Sequence, residues 1–209
     1  HDKDFDFESQ PGLPKPLPPG EDLLWQGSPE PVALAREAFK ANWILGYLLV
    51  LAVWRASMAF SDGGFGQSVA VFLPYLVLAL AAYGLIRLLA RAVARSAIYS
   101  ITTNRVILRI GAALQVTWTV PFTKVASASL STRPMTGTGT IALDLTEGQR
   151  ISYLALWPHL RPGFGHTVQP AFRCIPDAAR AARILSDAAQ TRVNEPVVSF
   201  APQSALAAE

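Results

Sequence analysis

The sequence predicts a membrane protein in two parts: a two-helix transmembrane hairpin, then an antiparallel β sandwich or barrel of six to seven strands with a C-terminal α-helix. Three observations predict it. Residues 69–86, VAVFLPYLVLALAAYGLI, contain no charged side chain. From residue 95 onward, apolar residues recur at every second position, the spacing of strands with one buried face. Finally, 51% of the 209 residues are hydrophobic and only 16% are charged, against about 25% in ordinary soluble domains.

Residues 1–35 read as an acidic, Pro-rich N-terminal segment. Asp2, Asp4, Asp6, Glu8, Glu21, Asp22 and Glu30 are set there against Lys3 and Lys15 alone. No basic stretch precedes an apolar core, so no secretory leader is expected. The hairpin covers residues 36–94, with spans at about 42–60 and 69–94. The run 69–86 is about 27 Å of helix, close to the hydrocarbon thickness. Pro74 falls near its first turn, where a missing amide donor costs little. The first span, NWILGYLLVLAVWRASMAF, is interrupted by Arg55. SDGGFGQS between the spans has no basic residue, whereas Arg36 and Lys40 precede the hairpin and Arg87, Arg91 and Arg95 close it. The positive-inside rule then places both chain ends in the cytoplasm. Arg87, Arg91 and Arg95 are the expected contacts for anionic lipid headgroups. Trp43 and Tyr47 mark one membrane interface, Phe60 and Phe65 the other.

Arg55 has two readings. It snorkels to the outer headgroups beside Trp54, or it meets another membrane subunit, since a charge at this depth usually has a partner. Ala52 and Ala56 form a small-xxx-small pair that allows close helix approach. Neither span contains a histidine, so no pigment or haem with an imidazole axial ligand is expected in the bilayer.

Residues 95–191 read as a cytoplasmic β domain. In RVILRI, Val106, Leu108 and Ile110 point inward and Arg109 outward; Asn104 makes the preceding tight turn and Gly111 ends the strand. ALQVTWTV places Leu114, Val116, Trp118 and Val120 on one face. VASASL, TGTIALDL and RISYLAL are further strands, with EGQR (147–150) as a hairpin turn. WPHLRPGFGHTVQPAFRCIP reads as a long Pro/Gly-rich loop. PDAARAARILSDAAQ then starts a helix at Pro176 and Asp177, with Ala178, Ala181, Ala182, Leu185, Ala188 and Ala189 on one face and Arg180, Arg183 and Asp187 on the other. Six or seven short strands followed by one helix is the plan of a PH-like domain. Residues 192–209 are left as a C-terminal tail.

YSITTNRVI after a membrane hairpin resembles the opening of the bacterial membrane-anchored PH-like family. VPFTKVASASL, TGTGTIALDL and the upstream PPGEDLLWQGSPEPVALAREAFK continue the likeness. HDKDFDFE, GEDLLWQG, AVWR, AIYSITTNRVILRIG and YLALWPHLRP are similar, more narrowly, to the photosynthetic-complex assembly proteins of purple bacteria, the PuhB type. That likeness runs from the first residue to about Ala189. It implies a non-enzymatic assembly factor in the intracytoplasmic photosynthetic inner membrane. Its implied partners are reaction-centre and core antenna subunits and the lipid bilayer, with a homodimer open. It does not bring phosphoinositide binding, because Arg105 and Arg109 lie on a strand rather than in a basic loop cluster.

No catalytic, metal or cofactor site is expected, nor a nucleic-acid partner. TGTGTI (136–141) lacks the Lys and the following helix of a phosphate loop. His159, His166 and Cys174 have irregular spacing for a metal, and Cys174 has no readable base beside it. As the only cysteine it also excludes an internal disulfide. The candidate partner contacts are Phe5, Phe7, Trp25, Trp54, Arg55, Trp157, His159 and Arg161. Two readings compete with assembly: a PH-like module that binds anionic lipid or organises membrane proteins, and an enzyme acting on lipid or pigment.

Overall fold

The fold is taken from a computed structural model, which describes residue 13 and residues 16–111, 115–133, 137–146, 153–161 and 168–194. Two antiparallel sheets face one another. The first has the order β1 (Leu23–Gly27), β2 (Ile98–Thr102), β3 (Arg105–Ile110), β4 (Val116–Pro121). The second has the order β5 (Val125–Arg133), β6 (Thr138–Leu145), β7 (Ala171–Pro176). Between β1 and β2 lie α1 (Pro31–Glu37) and the long α2 (Ala41–Ser96); α3 (Tyr153–Leu156) follows β6, and α4 (Ala178–Asn194) ends the described chain.

The core is built as the alternation predicts. Val106, Leu108 and Ile110 of β3 are buried, and so is Val120 of β4, whereas Val116 at the other end of β4 is 40% exposed. Leu114 and the EGQR turn lie outside the described residues. A stack of rings joins the sheets: Tyr99 of β2 lies flat on Phe172 of β7 at 4.8 Å, and Trp25 of β1 stacks on Phe172 from 5.9 Å. Ala178, Ala181, Leu185 and Ala188 of α4 are buried against this core, the face the sequence assigns.

Four elements differ from the sequence reading. Leu23–Gly27, placed in the N-terminal segment, is an edge strand paired to β2 from Leu23↔Thr102 to Gly27↔Tyr99. Five residues among prolines and glycines give little local signal; the ladder with β2, more than seventy residues on, makes the strand. YLAL is a single helical turn rather than a strand, because an apolar run this short has no readable period. AFRCIP, read as loop, is β7; Ala171–Ile175 are all buried, so both strand faces are covered and no polar alternation survives. The last helix runs to Asn194, past the expected start of the tail.

α2 is one element of 56 residues, long and apolar enough to cross a membrane. Helical backbone continues through most of the expected SDGGFGQS turn and is broken only at Gly64 (φ 72°, ψ −163°), a conformation open to glycine and almost nothing else. Ser68 Oγ donates to the Ala56 carbonyl at 2.9 Å, twelve residues back, and Ala41 packs with Ala90 and Tyr83. The segments before and after Gly64 thus touch near the break and again at their far ends. Ala52, Ala56, Ala59 and Ala79 are buried. The small-residue pair Ala52–Ala56 is thus spent within the element itself.

Candidate interaction site

Three joints hold the β domain together and seat α1, and through it the end of α2, upon it. The first ties β1 to the β2–β3 turn. Glu21 is buried and takes Arg105 in a fork: Nε reaches Oε1 at 2.8 Å and Nη2 reaches Oε2 at 2.5 Å. Thr102 Oγ1 donates to Glu21 Oε1 at 2.6 Å and accepts the Arg105 amide at 3.1 Å. The Thr103 amide closes the turn on the Asp22 carbonyl at 3.0 Å. Burial alone would raise the Glu21 carboxyl; the hydrogen bonds from Arg105 and Thr102 and the Arg105 charge outweigh it and hold the carboxyl below its usual range. GEDLLWQG and ITTNRV, far apart in sequence, are two halves of one joint.

The second joint lies in the core. Tyr99 Oη is 2.5 Å from His159 Nδ1, and the Arg173 amide approaches the same hydroxyl at 3.5 Å. Both contacts are satisfied if the hydroxyl donates to Nδ1, leaving the imidazole neutral with its proton on Nε2. Burial, reinforced by the Arg173 charge, pushes His159 down to about 4. Burial also pushes the Tyr99 phenol up. The Arg173 guanidinium donates to the Pro158 carbonyl through Nη1 and to the Glu37 carbonyl through Nη2, each at 3.1 Å. It thereby links the Trp157–Pro158 cis turn to the end of α1.

The third joint seats α1. Glu30 caps it, accepting the Val32 amide at 3.0 Å and the Ala33 amide at 2.5 Å, and Pro31 occupies the first helical position. The Glu30 amide donates to the Cys174 carbonyl at 2.8 Å. Ala33, Leu34, Ala94 and Cys174 then pack as one buried cluster between α1, the end of α2 and β7. Glu37 pairs with Arg133 at 3.1 Å. Burial first, with the Glu37 charge adding, pushes the Cys174 thiol up to about 12, so it is protonated at neutral pH and a poor nucleophile.

The sequence-predicted contact residues separate into groups. Phe5 and Phe7 lie outside the described residues. His159 is a correction: at 1% exposure, bonded to Tyr99, it is a core residue and presents nothing to a partner. Trp25 is half-buried on Phe172 and packs mainly inward. Trp157 is 45% exposed and meets Phe39 edge-on at 5.1 Å, and Arg161 lies at the surface, bonded to Gln169 at 2.9 Å. Trp54 and Arg55 are exposed on the first half of α2. Arg87 folds onto Tyr83, with Nη1 3.2 Å from the phenol oxygen, while Arg91 and Arg95 are exposed. Arg105, considered for headgroups, is committed to Glu21, and Arg109 bonds Gln115. Sequence reasoning missed Glu21, Tyr99 and Arg173. The one available signal was Arg173 itself, a lone cation inside the apolar run AFRCI. In TGTGTI, Thr136 lies outside the described residues, Gly137 turns the chain at φ 65°, and Gly139 lies in β6 under α4.

The bacterial PH domain family matches residues 39–189. The chain belongs to that family. As a bacterial PH domain it has a near full-length relative, 52% identical over 211 residues and covering 99% of this chain and 97% of the other, described as an uncharacterized 23.7 kDa protein in the puhA 5′ region of Rhodobacter capsulatus. That description is consistent with the resemblance to PuhB-type proteins of photosynthetic gene clusters. No solved structure matches this bacterial PH domain.

Proposed function

We propose that this protein is a non-enzymatic assembly and stabilisation factor for the photosynthetic reaction centre and core light-harvesting complex, working by contacts within the membrane and at its cytoplasmic face. The observation that carries the reading is a long apolar element, exposed along most of its length, whose end packs at Ala94 on Cys174 of a β domain that Arg173 bonds to the neighbouring α1. Exposed Trp43, Tyr47, Leu73, Val77, Leu85 and Leu88 have no use in water and suit lipid or a membrane partner. The 52% identical relative from the puhA 5′ region supports the photosynthetic setting. The groove between β5 and α4, lined by Phe122, Leu130, Leu185 and Gln190 among others, has no charged side chain among the described residues of its lining, which favours contact over turnover.

In this reading α2 is a two-span hairpin folded at Gly64, with both chain ends in the cytoplasm of a photosynthetic inner membrane. Spin labels at Trp43 and Leu88 test the fold. A hairpin brings them within about 20 Å, whereas a continuous rod would hold them roughly 70 Å apart at 1.5 Å per residue. Deleting the protein tests the function: reaction-centre and core-antenna absorbance should fall, and unchanged absorbance would remove the proposal.

Exposed Arg91 and Arg95, on the α2 turns that pack against α1, favour a second reading as a site for anionic lipid. The purified full-length chain should then retain anionic lipid through detergent washing and lose it when both arginines become glutamine.

A further inference from the structure

We propose that the outward side of the first half of α2 docks a transmembrane helix bearing an acidic side chain, with Arg55 as the counter-charge. The inference rests on the membrane reading above and names the partner's chemistry. Burial fixes which side is free: Ala41, Ala52, Ala56 and Ala59 are buried against the second half of the element. At 100° per residue, Trp43, Tyr47, Val50, Trp54 and Met58 form a stripe on the opposite side, and each is more than half exposed. Arg55 lies on the flank of the helix, about 60° beyond Met58 and between the stripe and the buried alanines, and is itself exposed; among the described residues it has no hydrogen-bond or ion-pair partner.

Depth and charge select the occupant. Arg55 is five residues inside the outer end of the span at Phe60, roughly 8 Å along the helix and within the hydrocarbon region. A charge at that depth is costly unless paired. A second copy supplies no remedy. Parallel packing of two copies brings Arg55 toward Arg55; the nearest acid of a second copy, Asp62, is seven residues or roughly 10 Å further toward the break, and no other acidic residue occurs before Asp144. Lipid phosphate lies only at the headgroup level, leaving the long aromatic stripe without a protein surface to match. A partner helix with Asp or Glu near the same level answers both the charge and the stripe, with large aromatics and an arginine as its contact residues.

A photoreactive side chain at Met58 of the full-length protein, activated in native membranes, tests this, with the cross-linked peptide identified by mass spectrometry. The expected product is an apolar span containing Asp or Glu. Arg55→Gln should lower its yield about tenfold, Arg55→Lys should keep most of it, and Arg55→Glu should abolish it until the partner's acid is changed to Arg. Cross-links to lipid alone, to a second copy or to a span without an acid would overturn the inference, as would a yield unchanged in Arg55→Gln. These outcomes are separable from the assembly reading. If deletion lowers the photosynthetic complexes while Met58 meets only lipid, the docking face is wrong and the assembly role stands.

Discussion

Arg173 is a buried cation in a strand whose neighbours are Phe172 and Cys174, and its guanidinium bonds backbone carbonyls of the Trp157–Pro158 turn and the end of α1, which also meet through Trp157 and Phe39. Among the described residues its Nε has no hydrogen-bond partner, so the two Nη contacts and nearby Glu37 must hold the charge in place. Arg173→Met should cost about 2–4 kcal/mol, mostly through the two carbonyls left unsatisfied, measured by denaturation in detergent. His159 gives a prediction in pH. Its folded value is about 4, below the ordinary unfolded value of about 6.5, so protons favour the unfolded chain between those limits. Stability should fall as pH drops from about 6.5 to about 4, by up to roughly 3 kcal/mol, and His159→Gln should flatten that slope. The WPHLRP motif was legible as unusual. That its histidine serves the core was not, because Tyr99, sixty residues earlier, is what covers it.

At the scale of elements, glycine decides two matters for different reasons. Gly139 lets α4 lie on β6: an added Cβ would sit 2.5 Å from the Ala178 Cβ and 3.0 Å from the Ser131 carbonyl, neither of which can swing aside. Gly139→Ala should lift α4 and cost about 1–3 kcal/mol, visible as a lower melting temperature and as faster amide exchange in α4. Gly64 has open space around it, so only its backbone is at stake. Gly64→Ala should cost about 1–2 kcal/mol in the folded-back form and move population toward a straighter helix, read by spin labels at Trp43 and Leu88. The sequence reading found α4, β3 and β4 by their polar–apolar period and β2 by its turn into β3. It lost β1, α3 and β7, whose four to six residues show neither a period nor a turn that ties them to a neighbouring strand in sequence.

For the whole molecule, the Glu21–Arg105 joint closes the β domain on a segment that composition alone assigned elsewhere. Glu21→Gln should destabilise by about 2 kcal/mol rather than more, since the Arg105 side chain is 34% exposed and water screens part of the pair. Its contribution is present above the unfolded carboxyl value and is lost as pH falls through the depressed folded one. A chain lacking residues 1–27 should expose the β2 edge and aggregate, as size-exclusion chromatography would register. The motifs that suggested the family were legible as a series. That they meet in pairs, Glu21 with Arg105 and Tyr99 with His159, is tertiary information no local pattern contains.

Because β1 and β2 are ladder neighbours and everything from α1 to Ser96 is inserted between them, the apolar mast is stepped in two sockets of one deck rather than tied on by a cord. At its far end only Ala97 separates helix from strand. Rocking of the mast must therefore strain the β1–β2 ladder and the Glu21 clasp directly, and the strand-rich head is carried at a set attitude wherever the mast leans.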